Sequence, residues 1–133
     1  MLNPNIEIKK WFYTTLTTAT GLGVYDGIAP DDAGNEYIVL TGRSGTQLQG
    51  KTGFASNVNM TVDIVTRGSF TGYKRSEEIA QLILTALDSN TSITLSTGQA
   101  TSLYLATITN LDGLNPLDNV FRTIITYNVI ISG

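Results

Sequence analysis

Three acidic side chains, Asp31, Asp32 and Glu36, form the densest acidic cluster in the sequence. Paired carboxylates can act as general acid and general base when burial moves their pKa values apart. Turn-forming residues surround the cluster, among them Pro30 and Gly34, and nothing nearby indicates burial. The sequence therefore predicts a solvated loop here, without a catalytic function.

The chain contains no histidine and no cysteine. These two absences exclude Ser-His-Asp and Cys-His nucleophiles, disulfide bonds and the usual zinc ligands. We therefore predict that the protein is not an enzyme and that it has no catalytic, cofactor-binding or metal-binding residues.

Two segments superficially resemble ligand-binding loops. The glycines from Gly21 to Gly27 have a spacing like that of a phosphate-binding loop, but they follow a predicted helix and open a strand, which is the reverse order. They are predicted to end the helix. The segment from Asn110 to Asn115, with Asp118 nearby, lacks the alternating acids and distal glutamate of a calcium loop, so a capped turn is predicted.

The composition indicates a polar surface with few charges. Hydrophobic residues make up 41% of the chain and charged residues 14%, below the ~25% usual for soluble domains. Such a surface favours packing against copies of itself, because little charge must be desolvated. A secreted protein with a Thr- and Ser-rich β surface would have the same composition, so both interpretations stay open.

The net charge of −3 argues against a nucleic-acid-binding surface, since phosphate contacts need clustered lysines and arginines. No apolar run approaches the ~18 residues needed to cross a membrane, and the first residues do not resemble a signal peptide. We expect synthesis in a cytoplasm and no membrane partner.

Two segments have helical periodicity. The Asn3-Pro4 pair suits a helix start, and apolar residues at three-and-four spacing predict a helix to about Thr18. Trp11 and Phe12 are predicted to lie in the core because of this spacing. A second helix is predicted from an apolar stripe opposite a polar one. The stripe comprises Ile79, Leu82, Ile83, Ala86 and Leu87.

Six segments are predicted to be strands, the longer ones by alternation of apolar and polar residues. They are 24–26, 37–41, 54–64, 93–95, 103–109 and 121–131. Helices and strands in this order predict a single α+β domain over residues 1–133, with a mostly antiparallel sheet and two amphipathic helices packed on one face. The glycine-rich segment 42–53 is predicted to be a flexible loop, either a surface arm or an element that orders on a partner.

Three stretches in succession resemble the bacteriophage tail-completion family, which includes tail terminators and tail-to-head joining proteins. The first runs from Val24 to Leu40, the second from Val62 to Leu87, and the third from Val120 to Ile131. Glu36 departs from the family pattern, which more often has proline before the aromatic residue of the strand. The likeness covers nearly the whole chain in order.

This resemblance implies a structural virion protein that forms a ring, usually a hexamer, at the head-proximal end of a phage tail. The ring would terminate the tail tube and join it to the neck, so the implied partners are copies of itself, the tail tube protein and neck or connector proteins. Assembly would take place in the bacterial host cytoplasm. Six copies would carry about −18, and DNA would pass an acidic lumen without specific binding.

On this interpretation we predict that segment 42–53 contacts the tube or the next subunit. The predicted contacts are Arg43, Gln47, Gln49, Lys51 and Phe54. The alternatives within the class are another head-tail connector or a minor tail-tube protein. From a different class, the alternative is a small monomeric ligand-binding domain that uses the loop as a lid; the virion interpretation has no small-molecule substrate.

Overall fold

A computed structural model describes the backbone of residues 4–50, 53–67, 73–88, 100–112 and 120–132, and the side chains of 6–42, 58–67, 73–88, 103–110 and 120–130. The elements in chain order are α1 (Pro4–Thr20), β1 (Gly23–Asp26), β2 (Glu36–Gly50), β3 (Gly53–Thr66), α2 (Lys74–Asp88), β4 (Ala100–Asp112) and β5 (Phe121–Ser132). The predicted strand at 93–95 lies outside the described residues.

The five strands form one sheet in the order β1-β2-β3-β5-β4. Strand β1 is parallel to β2, and every other neighbouring pair is antiparallel. Helices α1 and α2 pack against each other and against one face of this sheet, with which they share a single core. The predicted α+β class with a mostly antiparallel sheet is confirmed. No helix within the described residues is long and apolar enough to cross a membrane.

The sheet has one face covered by the helices and one open face, and side chains along each strand point to the two faces in turn. The apolar parity predicted for β3 and β5 is buried under the helices, because successive strand side chains point to opposite faces. Of its described members, Phe121 is half-buried and the others are at most 3% exposed, namely Val58, Met60, Val62, Ile64, Ile125, Tyr127 and Val129. Sequence periodicity therefore predicted the inward face of the two central strands correctly.

Helix α1 buries one face through Ile8, Phe12 and Leu16, which are spaced one turn apart. It ends at Gly21, whose φ of +69° is readily adopted by glycine and whose amide donates to the Thr17 carbonyl at 2.9 Å. Phe12 is fully buried, as predicted. Trp11 is half-buried and packs edge-on against it, with ring centroids 5.2 Å apart.

The inward face of α2 is narrower than the sequence predicts. Ile79, Ala80, Ile83 and Leu87 are buried, but Leu82 is 47% exposed. At about 100° per residue, Leu82 lies on the flank of the stripe that the other four define, so it does not face the sheet. The prediction of Leu82 as a core residue is wrong.

The predicted flexible loop at 42–53 is replaced by strand in the residues that the structure describes. Strand β2 continues to Gly50, β3 begins at Gly53, and pairing extends to Gly50↔Gly53. A bulge between Ser44 and Gln47 inserts one extra residue in β2. The prediction failed because this strand is held by backbone hydrogen bonds to β3. Its glycine and polar residues do not alternate with apolar ones, so the sequence contained no strand pattern.

The predicted turn at 110–115 also begins later than expected, since β4 runs to Asp112. Residues 113–119 lie outside the described part of the chain.

Candidate interaction surfaces

Four of the five predicted contact residues lie on the paired ends of β2 and β3. Arg43 pairs with Asn59, Gln47 with Ser56, and Gln49 with Phe54. Strand pairing thus brings Gln49 and Phe54 directly opposite each other. Lys51 lies outside the described residues, and the contact role of all five stays a prediction.

The sheet presents two edges, one at each end of the strand order. Pairing of β1 with β2 ends at Asp26↔Leu40, so β2 from Thr41 to Gly50 pairs on one side alone within the described residues. At the other end, the 13 residues of β4 pair with β5 alone, again within the described residues. Unpaired backbone groups of this kind are templates for further strands. Neither edge was predicted from the sequence.

Two exposed apolar side chains lie along the β4 edge on the helix-covered side. Leu105 and Ile108 of β4 are 49% and 48% exposed, and they pair with the buried residues Tyr127 and Ile125. We call Leu105 and Ile108 the β4 strip. An apolar group of this kind on one side of an edge strand is typical of a surface that meets another molecule.

A bulge in β4 places Leu105 and Ile108 on the same side. Residues three apart in a regular strand face opposite ways, but the pairing shifts between Leu105 and Thr107, so that Ala106 is the extra residue. The spacing of these two apolar residues was the one sequence signal of the bulge. Tyr104, 54% exposed, pairs with Asn128 and so lies on the open face.

A polar network holds α2 against β4 and β5. The Oγ1 atom of Thr123 lies 2.8 Å from Ser76 Oγ and 2.9 Å from Asn110 Oδ1, and Thr123 and Ser76 are almost fully buried. The Asn110 side-chain amide donates to Glu77 Oε1 at 3.0 Å. The network therefore fixes the position of α2 relative to β4, the strand that carries the β4 strip.

A groove of about 330 Å³ lies at the opposite edge of the sheet, beside α1. Lys9 Nζ pairs with Asp26 Oδ1 across it at 3.0 Å, and Tyr13 is 52% exposed on its wall. Gly42 permits this arrangement, since a Cβ there would lie 3.0 Å from Lys9 Cε. The lining residues are Lys9, Lys10, Tyr13, Thr14, Tyr25, Asp26 and Leu40. We call this cavity the α1 groove.

The acidic residues considered for catalysis are separated in the structure. Glu36 binds Arg75 through two hydrogen bonds, of 2.7 and 3.1 Å, and hydrogen bonding to Glu36 raises the pKa of Arg75. Asp31 and Asp32 are exposed in a turn. Arg67 holds the same loop through its Nε–H, which donates to the Gly34 carbonyl at 3.1 Å. The prediction of a solvated loop is confirmed for Asp31 and Asp32, whereas Glu36 is an anchor for α2.

The open face of the sheet has a single charged pair among the side chains described on β2, β3 and β5. Arg122 Nε donates to Asp63 Oδ1 at 3.2 Å, its Nη2 contacts Oδ2, and this hydrogen bonding raises the pKa of Arg122. Around the pair lie neutral residues, polar ones such as Thr61 and Asn128 and apolar ones such as Val39 and Ile124. No described helix covers this face, and its described side chains carry no net charge.

The described residues contain no group of three or more acidic side chains that could hold a metal ion. The features that could contact another molecule are two sheet edges, an apolar strip, a groove and a neutral face.

Comparisons with known proteins show the fold. No family model matches the sequence, and no curated protein matches it. Among solved structures, the chain is similar to one in the virion of a native gene transfer agent particle, with 15% identity over 92% of each chain and a TM-score of 0.64. A second solved chain is 15% identical, with 93% of this chain and 91% of that one covered and a TM-score of 0.56. The chain therefore shares its fold with these two proteins over about nine-tenths of its length.

Proposed function

We propose that this chain is a structural subunit of a phage-like virion, which forms a ring at the head-proximal end of the tail, terminates the tail tube and joins it to the neck. The observation that carries the proposal is the fold shared over 92% of both chains with a protein of a gene transfer agent virion. The succession of motifs that resembles tail-completion proteins supports the same assignment. Catalysis has no part in it.

The sheet edges support assembly into a ring. The β1–β2 edge and the β4 edge lie at opposite ends of the strand order, so contact between them is head-to-tail. Such contacts close into rings when the rotation between subunits divides a full turn. A hexamer is the ring that the family resemblance favours. In this arrangement, the paired ends of β2 and β3, with Arg43, Gln47, Gln49, Lys51 and Phe54, are the predicted contact with the tube or the next subunit.

The open face suits the wall of a DNA channel. Asp63 and Arg122 neutralise each other, so the described side chains on its strands neither bind the DNA phosphates through positive charge nor repel them strongly. The acidic lumen that the family resemblance implies would then take its charge from other parts of the chain than the described side chains of this face. DNA would pass along neutral polar and apolar side chains without specific binding.

A monomeric ligand-binding domain is the candidate from another class, and the α1 groove favours it. Its volume of about 330 Å³ lies at the lower end of the range for small-molecule pockets. The lid that this alternative requires is, in residues 42–50, a β-strand. Light scattering coupled to size exclusion separates the two proposals, because a monomer has a mass of 14.3 kDa and a ring several times that.

Disruption of the gene in the phage-like element that encodes the protein tests the function itself. Heads filled with DNA should accumulate beside unattached tails of irregular length, as seen by electron microscopy, and the intact gene supplied in trans should restore joined particles. Normal, infectious particles without the protein would overturn the proposal. A defect in joining with tails of normal length would indicate a neighbouring connector role instead.

A further inference from the structure

We propose that the α1 groove of one subunit receives the β4 strip of the next copy, so that these two surfaces form the head-to-tail interface. The inference rests on the proposed ring and names the contact that closes it. Both surfaces lie on the helix-covered side of the sheet, the groove beside β1 and the strip on β4, at opposite edges. Two copies placed edge to edge therefore bring a groove and a strip together.

The chemistry of the two surfaces is complementary. The strip offers two aliphatic side chains, each about half exposed, and the groove offers the exposed ring of Tyr13. Burying apolar area of this kind is a main favourable term in association. In the groove Lys9 is paired with Asp26, which leaves the exposed Lys10 as its net positive charge. The flank of α2 beside the strip carries the exposed carboxylates of Glu77, which binds Asn110 of β4, and Asp88.

This charge distribution favours the groove over a second strip as the occupant. Contact between two strips would bring two acidic helix faces together, which opposes association. Contact between a strip and a groove places acidic groups opposite basic ones. The interface is therefore heterologous, and each subunit uses both of its surfaces.

Site-directed cross-linking tests the contact directly, because the chain has no cysteine. Thr14→Cys lies in the groove and Gln81→Cys lies beside the strip, and both positions are exposed. With a short bis-maleimide, the double variant should give a ladder of oligomers that ends at the ring. An equal mixture of the two single variants should give dimers, and each single variant alone should stay uncross-linked.

Substitution along one strand supplies a matched pair of variants. Ile108→Asp should weaken association about tenfold or more, since it places a carboxylate in the apolar contact. Tyr104→Asp, at a similarly exposed residue of β4 that lies on the open face, should leave association nearly unchanged. Circular dichroism on both variants establishes that the fold is retained. Equal effects of the two substitutions would overturn the assignment of the strip.

Light scattering on the unmodified chain separates failure of this inference from failure of the proposed function. A ring whose double-cysteine variant does not cross-link would overturn the groove-strip contact and leave the ring standing. Self-cross-linking of the Gln81→Cys variant would indicate a strip-to-strip interface and would also overturn it. A monomer of 14.3 kDa at high concentration, without cross-linking, would overturn both.

Discussion

The guanidinium of Arg75 donates two hydrogen bonds to the carboxylate of Glu36, Nε to Oε1 at 2.7 Å and Nη2 to Oε2 at 3.1 Å. The two residues are 39 positions apart in the sequence. Bidentate geometry of this kind is directional as well as charged. It joins the first residue of β2 to the first turn of α2, so the helix is held where the sheet begins. Arg75 also lies 3.7 Å from Glu78 of its own helix.

A double-mutant cycle should measure the strength of this pair. Glu36→Gln and Arg75→Met are each expected to lower the free energy of unfolding, with a coupling of about 0.5–1 kcal/mol, because both side chains are partly exposed and solvent screens them. Urea denaturation of the four proteins gives the value. Glu78→Gln serves as the control, and coupling between Arg75 and Glu78 as large as that with Glu36 would contradict the assignment.

Thr123→Val should destabilise the protein by about 1–3 kcal/mol. The substitution keeps the side-chain shape but removes the hydroxyl that lies between Ser76 and Asn110, and Ser76 is itself buried. Thr123→Ser keeps the hydroxyl and should cost less. Thermal unfolding of both variants is the measurement, and a valine variant as stable as the serine variant would show that the network contributes little.

Tyr127 should make stability fall at alkaline pH. Burial raises the pKa of its hydroxyl to about 12, with a contribution from Asp88. Because the folded-state pKa lies above the unfolded value of about 10, this stabilisation is complete below pH 10 and is lost between pH 10 and 12, by on the order of 2 kcal/mol.

The Tyr127→Phe variant tests this pH dependence. Its unfolding free energy should decline less than that of the parent chain over this interval. At neutral pH it should be at least as stable, since the buried Tyr127 hydroxyl has no hydrogen-bond partner among the described residues. A parallel decline of the two proteins between pH 10 and 12 would refute the role of this hydroxyl.

Thr61→Lys should convert the assembled ring into a DNA-binding one. Thr61 lies on the open face, so a ring would gain one lysine per subunit around the channel. Retention of DNA at low salt and its release at raised salt are expected, because phosphate contacts displace counterions. Fluorescence anisotropy with labelled duplex DNA is the measurement. Thr61→Gln is the neutral control. Gln81→Lys adds the same charge on α2 and should bind DNA more weakly than Thr61→Lys does. Equal DNA binding by these two lysine variants would contradict a channel wall at the open face.

Periodicity predicted those parts of the fold in which side-chain burial determines the pattern. Alternation from Val58 to Ile64 and the one-turn spacing of Ile8, Phe12 and Leu16 are direct results of packing on a core. Residues 42–50 were not predicted to form a strand. Their backbone groups pair with β3, and backbone pairing does not require a particular pattern of side chains. Leu82 was misplaced because one helix period fits several stripes that differ by a small rotation.

The surfaces were harder to predict than the core. The β4 strip depends on a bulge, and the α1 groove depends on the approach of Lys9 to Gly42, which are 33 positions apart in the chain. A single sequence records neither relationship. The absence of histidine and cysteine did exclude, from the sequence alone, catalysis and metal binding that depend on these side chains.

The bulge at Ala106 also affects how β4 can change by mutation. Loss of that one codon would restore regular pairing and leave Leu105 and Ile108 on their present side, since their partners Tyr127 and Ile125 would be unaltered. Loss of a codon between Thr107 and Asn110 would instead shift part of the strand by one residue and turn its side chains over. Ala106 is thus the position in β4 where the gene can shorten without reversing the surface that neighbouring molecules meet.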